Sequence, residues 1–139
     1  MARAQLAKEL HFVAPDETGL LGRVTVAMAL EGVYIIHLSC YSFEGKAYFQ
    51  AVTKDNAKAK KAISYFIPTI EERDVLIVEF ENKVGTLAPV AKLLPNNRIH
   101  INYCYGTSGD GFKIVGVFST SANEKACNLI NEDSQSLGV

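Results

Sequence analysis

Several protein classes are excluded by what this 139-residue chain lacks. It has only 3 cysteines, Cys40, Cys104 and Cys127, an odd number at wide spacing with no CxxC, which rules out a disulfide framework. Reduced, buried thiols are the expected state. No run of about 18 apolar residues is present, so no membrane-spanning helix is expected. The opening Met1-Ala2-Arg3-Ala4-Gln5 lacks the charged-then-apolar order of a secretory signal, which predicts a cytoplasmic protein. Charge of one sign is also missing. With 14 basic against 15 acidic side chains the net charge is −1, and nothing draws the chain as a whole to nucleic acid or an anionic bilayer. Glycine and proline number 10 and 4, and 48% of residues are hydrophobic, so disordered and collagenous classes fall away and a globular core is expected.

What is present is an internal repeat. A shift of 66 residues lays Asp16-Glu17-Thr18-Gly19-Leu20-Leu21 over Asn82-Lys83-Val84-Gly85-Thr86-Leu87. At the same offset Val24 falls on Val90, Val33-Tyr34-Ile35 on Ile99-His100-Ile101, and Gly45 on Gly111. The register of residue types holds without a gap, and it divides the chain into units at residues 1–70 and 71–139.

Each unit reads as strand, helix, strand, strand, helix. Leu10 to Ala14 and Val75 to Phe80 are the opening strands, each followed by a polar turn ending in Gly19 or Gly85. Leu21, Val24, Ala27 and Met28 then recur at helical spacing, as do Leu87, Val90, Ala91 and Leu94. Gly32 is expected to end the first helix and Pro95 the second, while Pro89 sits in a first turn where its missing N–H costs little. Val33 to Phe43 with Ala47 to Thr53, and Ile99 to Gly106 with Phe112 to Ser119, read as hairpins. Ala59, Ala62, Ile63 and Phe66, then Ala126, Leu129 and Ile130, give the closing helices one apolar face. This order predicts an α+β fold of two ferredoxin-like βαββαβ units, antiparallel sheets with both helices on one face. A fourth strand for each unit has to come from Ile67 to Arg73, continuous with the next opening strand, and from Gln135 to Val139, truncated or exchanged between units.

The two glycine turns, with Gly32-Val33-Tyr34-Ile35 and Arg98-Ile99-His100-Ile101 at the second-strand entries, resemble the ACT domain, a small regulatory module. The resemblance covers roughly residues 8 to 133. It implies a tandem, non-catalytic protein that binds an amino acid or similar small metabolite at an interface between two such modules and passes the signal to an enzyme or regulator. No cofactor is implied. The ligand-binding positions carried over are Asp16, Thr18, Gly19 and Leu20 from the first loop and Asn82, Val84, Gly85, Thr86 and Leu87 from the second. The strand entries add Tyr34, Ile35, His100 and Ile101. The chemistry suits a helix start that follows a glycine, where unpaired N–H groups and a positive dipole favour a carboxylate. Many family members have Asn where this chain has Tyr34 and His100, bulkier groups that could close one of the two sites. Open strand edges predict a homodimer or larger assembly.

Plainer readings stand beside these. Asp16 and Asn82 also suit turns or helix caps. His11, His37 and His100 invite a metal reading with Cys40 and Cys104, but strand spacings of three and four make no local chelate, and no metal site is expected. Lys54, Lys58, Lys60 and Lys61 read as the solvated face of a helix. Gly45 to Val52 resembles the aromatic strand of RNA-recognition motifs, so RNA binding through Phe49 is an alternative, as is a small ferredoxin-like enzyme. The balanced charge argues against the first, and the lack of paired carboxylates or a nucleophile elbow against the second.

Overall fold

The computed structural model describes residues 2–108 and 111–136. In chain order the elements are β1 (Arg3–Pro15), α1 (Leu20–Leu30), β2 (Ile35–Phe43), β3 (Lys46–Thr53), α2 (Asn56–Ile63), β4 (Thr69–Glu81), α3 (Ala88–Asn96), β5 (Ile101–Ser108), β6 (Lys113–Thr120) and α4 (Asn123–Ser136). Four helices and six strands make an α+β architecture. The chain forms two compact units: one is Lys8–Arg73, and the other joins residues up to Ala7 with those from Asp74 onward. Among the described residues, 2–7 group with those from Asp74 onward.

Within the unit Lys8–Arg73 the strand order is β2-β3-β1-β4, using residues 8–15 of β1 and 69–73 of β4. Leu10, Phe12 and Ala14 alternate along β1 and lie with Ala47, Phe49 and Ala51 of β3 in one core. Leu20, Val24 and Met28 of α1 and Ala59 and Ile63 of α2 come down on that same face. Phe12 and Phe49 are paired across the strands and their rings stack, with centroids 4.8 Å apart and planes 7° from parallel. Such a contact adds about 0.5–1.5 kcal/mol to what burial supplies. Leu21, expected in the buried stripe, is exposed, because the stripe starts one residue earlier at Leu20.

In the other unit the order is β1-β4-β6-β5, with residues 3–7 of β1 and 74–81 of β4. The core is Leu76, Val78 and Phe80 with Phe118, Val90, Leu94, Ala126 and Ile130, and Ala4 belongs to it. The fourth strand here is thus the chain's own beginning, not Gln135 to Val139. Residues 135–136 continue α4, and 137–139 lie outside the described residues. Asn131 of α4 holds that strand: its side chain accepts from the Ala4 N–H (2.8 Å) and donates to the Ala4 carbonyl (3.0 Å). Asn131 is recognisable only once α4 and β1 are side by side.

Other expectations are corrected. Pro95 does not stop α3 but lies inside its last turn, and the helix ends on Asn97, whose N–H donates to the Leu94 carbonyl (3.0 Å). A proline one residue from a helix end removes a single hydrogen bond where the ladder is already closing. Leu87 and Ala91 are exposed, leaving Val90 and Leu94 as the buried positions of α3. Cys40 and Cys104 are exposed and Cys127 half-buried, because β2 and β5 are outermost in their units. All three thiols are free.

The repeat is also not gap-free. Ile35 pairs with Thr53 and Ile101 with Thr120, so the offset grows by one residue between the second and third strands of a unit. The extra residue falls in the β5–β6 turn. Beyond it the halves match in detail. The Thr53 hydroxyl donates to Asn56 Oδ1 (2.7 Å), whose amide donates to the Lys8 carbonyl (3.1 Å). Thr120 and Asn123 repeat the first bond at 2.7 Å, and Asn123 reaches the Asp74 carbonyl at 2.8 Å. Each unit therefore ties its third strand and second helix to the residue where its own first strand begins.

Two substitutions test this packing by urea denaturation. Phe49→Ala is expected to lower stability by about 3–5 kcal/mol, as for other buried aromatic truncations. Asn131→Leu, which removes the acceptor of the Ala4 N–H and one of the two donors to the Ala4 carbonyl, is expected to cost about 1–3 kcal/mol; unchanged stability would mean that residues 3–7 do not complete the second unit.

Candidate functional site

Both glycine turns take the backbone conformation that the reading required. Gly19 has φ +89° and Gly85 φ +84°, in the left-handed region that side chains disfavour. Neither following helix start is capped by a side chain. The first intrahelical bonds come from the N–H groups of Arg23, to Gly19, and of Ala91, to Leu87 (both 3.0 Å). Ahead of these the Leu20 N–H donates to the Glu17 carbonyl (3.3 Å) and Pro89 has no N–H, so the N–H groups without an acceptor within the helix are those of Leu21 and Gly22 in α1 and of Ala88 and Val90 in α3.

Asp16 and Asn82 are not caps. Their backbone N–H groups donate to the hairpin turns, to the Gly45 and Phe112 carbonyls (2.9 Å each), and the Asn82 amide donates to the Gly111 carbonyl (3.1 Å). Each loop is thereby fastened to the hairpin of its own unit. Burial first, and the Asp16 carboxylate second, push the Cys40 thiol above its ordinary value, consistent with Asp16 facing the far end of β2.

The remaining expected residues divide. Leu20 is a core residue, 6% exposed, and Ile35 and Ile101 pack against the cores of their units. Thr18 and Val84 are exposed. Tyr34 is exposed, with the Lys54 ammonium 4.8 Å from its ring centroid. The exposed His100 exchanges bonds with Ser121, its N–H donating to the hydroxyl and its carbonyl accepting the Ser121 N–H (both 2.9 Å). Tyr34 and His100 sit past the far ends of α1 and α3, about 16 Å and 14 Å of helix from the glycine turns of their own units. Within a unit, loop and strand-entry residues therefore do not converge.

Thr86 and Leu87 do converge on something. They line a pocket of about 290 Å³ with Cys104, Tyr105 and Gly106 of β5, Ile114, Gly116 and Phe118 of β6, and Phe80 of β4. No charged side chain lines it. Phe80 and Phe118 are buried, with ring centroids 6.3 Å apart, while Leu87, Cys104 and Gly106 are exposed. The Thr86 hydroxyl folds back onto the Glu81 and Lys83 carbonyls (2.8 and 3.1 Å) and fixes the turn. Apart from Thr86 and Leu87, none of these residues was among the expected site positions. Glycine inside a strand, at Gly106 and Gly116, was the available sign. A shallower depression of about 650 Å³ follows α4 from Ala122 to Glu132 and gathers no converging chemistry.

Phe49, on which the RNA alternative rested, is fully buried against Phe12 and has no face to offer a base. Lys54, Lys58, Lys60 and Lys61 are all exposed. Among the described residues no three His, Cys, Asp or Glu side chains are placed to hold a metal ion, and no helix is long and apolar enough to cross a membrane.

No protein-family model matches the chain, and no curated protein matches it. Solved structures do. A protein from Bacteroides thetaiotaomicron superposes with a TM-score of 0.85 at 23% identity, over 94% of this chain and 90% of its own. The aspartokinase alpha and beta subunits match with a TM-score of 0.69 at 15% identity, over 99% and 98%. The ligand-free regulatory subunit of aspartate kinase from Thermus thermophilus matches at 0.68 and 14% identity, over 95% and 96%. At these identities the likeness speaks for the fold alone, which this chain shares with those structures.

His11 and His37 make the fold sensitive to acid. Burial holds both below the ordinary 6.5, and at His11 the Arg73 guanidinium adds to it against an opposing effect of Glu71. Below 6.5 the unfolded chain binds protons that the folded chain refuses, so stability is expected to fall as pH drops through the ordinary histidine range. Urea denaturation as a function of pH checks this, and His11→Asn should flatten the slope.

Proposed function

We propose that this chain is a tandem pair of ACT modules, divided near residues 70 and 71 apart from the contribution of residues 3–7, that binds a small amino acid or related metabolite and regulates a metabolic enzyme without catalysing a reaction itself. The observation that carries the reading is the start of α3. There a left-handed glycine, uncapped N–H groups and an apolar pocket lie together, at Gly85, Leu87 and the residues facing them. An α-carboxylate suits those N–H groups, because the helix dipole and the missing intrahelical acceptors both favour an anion. The ammonium is to be met by nearby carbonyls or by Asn82.

The fold supports the regulatory part of the proposal, since two of the structures it superposes on belong to aspartate kinases and one is a regulatory subunit. Ligand binding would shift the balance between packing arrangements or assemblies, and a partner enzyme would sense the difference. The outermost strands β2 and β5 leave edges for pairing, so a homodimer is the proposed assembly.

Thermal shift and calorimetry against the twenty amino acids test the proposal. A binder raises the melting temperature with concentration, by an amount equivalent to about 2.7 kcal/mol at a hundredfold excess over Kd. Gly85→Val strains the turn without meeting any neighbour, and is expected to weaken binding about tenfold or more, or about 1.4 kcal/mol. Gly19→Val should leave binding at the second turn intact. If no amino acid binds, the reading fails; a monomer at all concentrations in light scattering would remove the homodimer.

A further inference from the structure

The helix-facing layer of the second unit is hollow where that of the first is solid. Across the first unit one row of the sheet runs Cys40, Phe49, Phe12. The matching row of the second runs Gly106, Gly116, Val78. Two stacked rings and a thiol are thus replaced by two glycines and a valine. Bulk moves instead to the neighbouring rows, where Phe118 and Phe80 stand in place of Ala51 and Ala14. What remains between them is the pocket of about 290 Å³.

Such an arrangement is costly for a protein that leaves it unoccupied. Left empty, the pocket's aromatic and aliphatic lining faces water, and an apolar group seated there removes that area from water. Two glycines in mid-strand add a further cost in chain entropy and lost contacts. Both glycines are also sterically confined. A Cβ on Gly106 would come within 2.7 Å of the Val115 carbonyl oxygen, and one on Gly116 within 2.8 Å of the Phe118 ring. The space is about twice the ~150 Å³ that holds benzene in an engineered cavity. Its lining offers aromatic edges, aliphatic carbons and a thiol, and the one hydroxyl at the turn is already bonded to the Glu81 and Lys83 carbonyls.

We infer that this pocket seats the side chain of the ligand, and that the ligand is an amino acid with a branched aliphatic or aromatic side chain rather than a charged or hydroxylated one. The inference rests on the amino-acid-binding reading above and adds the class of side chain to it. In the first unit the stacked Phe12 and Phe49 rings occupy the matching row. One apolar side chain per protein chain is therefore expected.

The test uses the full chain with leucine, isoleucine and phenylalanine against lysine, threonine and aspartate, together with toluene as a probe of the pocket alone. Calorimetry, the amide NMR signals of Gly106 and Gly116, and the rate at which Cys104 reacts with a thiol reagent are followed. The apolar amino acids should bind at least tenfold more tightly than the polar ones. They and toluene should shift both glycine signals and slow the Cys104 reaction. Ile114→Phe, which fills the pocket, should abolish these effects, and Cys104→Leu provides a second, milder filling variant read by NMR and calorimetry. Preference for lysine, threonine or aspartate, or undiminished leucine binding in both folded filling variants, would overturn the pocket assignment while leaving the regulatory reading intact. Toluene binding at the glycine signals with no amino acid bound would remove the amino-acid reading and with it the ligand class inferred here. No response of the glycine signals to any probe would overturn the inference outright.

Discussion

Between a pair of helices and a sheet there is room for one layer of side chains, and the residues meeting across the middle strands set how full that layer is. In the unit Lys8–Arg73, Phe12 and Phe49 lie at the centre, stacked at 4.8 Å, with Leu10, Ala51, Ala14 and Ala47 to either side. The other unit inverts the sizes. Its centre is Val78 and Gly116, and its bulk lies at Leu76, Phe118, Phe80 and Ile114. The same architecture is thereby solid in one half and hollow in the other. The hollow is next to Thr86 and Leu87, at the end of the layer where α3 begins. The pocket exists because of that inversion.

Around it the backbone is held by bonds that recur in both halves. The loop after each first strand donates an N–H to its hairpin turn, and each Thr-x-x-Asn segment ties the third strand to the residue where its unit begins. These bonds fix the glycine turns without using the helix-start N–H groups. A cap at Asp16 or Asn82 would have filled the same positions from within the chain.

Completion of the second unit follows a different logic from the first. The first receives its last strand from the chain as it passes on into β4, so Ile70 joins its core without any further device. The second takes residues 3–7, the leading part of β1, and there Asn131 supplies two hydrogen bonds to Ala4 while Cys127 Sγ donates to the same carbonyl at 3.5 Å. The two halves thus differ in how their last strand is fastened and in which side chains fill the layer.

Element order, the four helices, the glycine turns at 19 and 85 and the continuity of Ile67 to Arg73 with the next strand were legible in the sequence, because each depends on neighbours within a turn or a few residues along a strand. Alternation at Leu10, Phe12 and Ala14 and helical spacing at Val24 and Met28 are local signals. The exposed cysteines, the one-residue shift in the β5–β6 turn and the origin of the second unit's last strand were not, since they depend on which strands are outermost and which segments meet across more than a hundred residues. The pocket belongs with these. Gly106 and Gly116 show along the chain only as mid-strand glycines, and with Val78 they form a gap only when register places them side by side, so the amino-acid order determined the elements and their turns, while tertiary pairing alone decided where side-chain volume runs out.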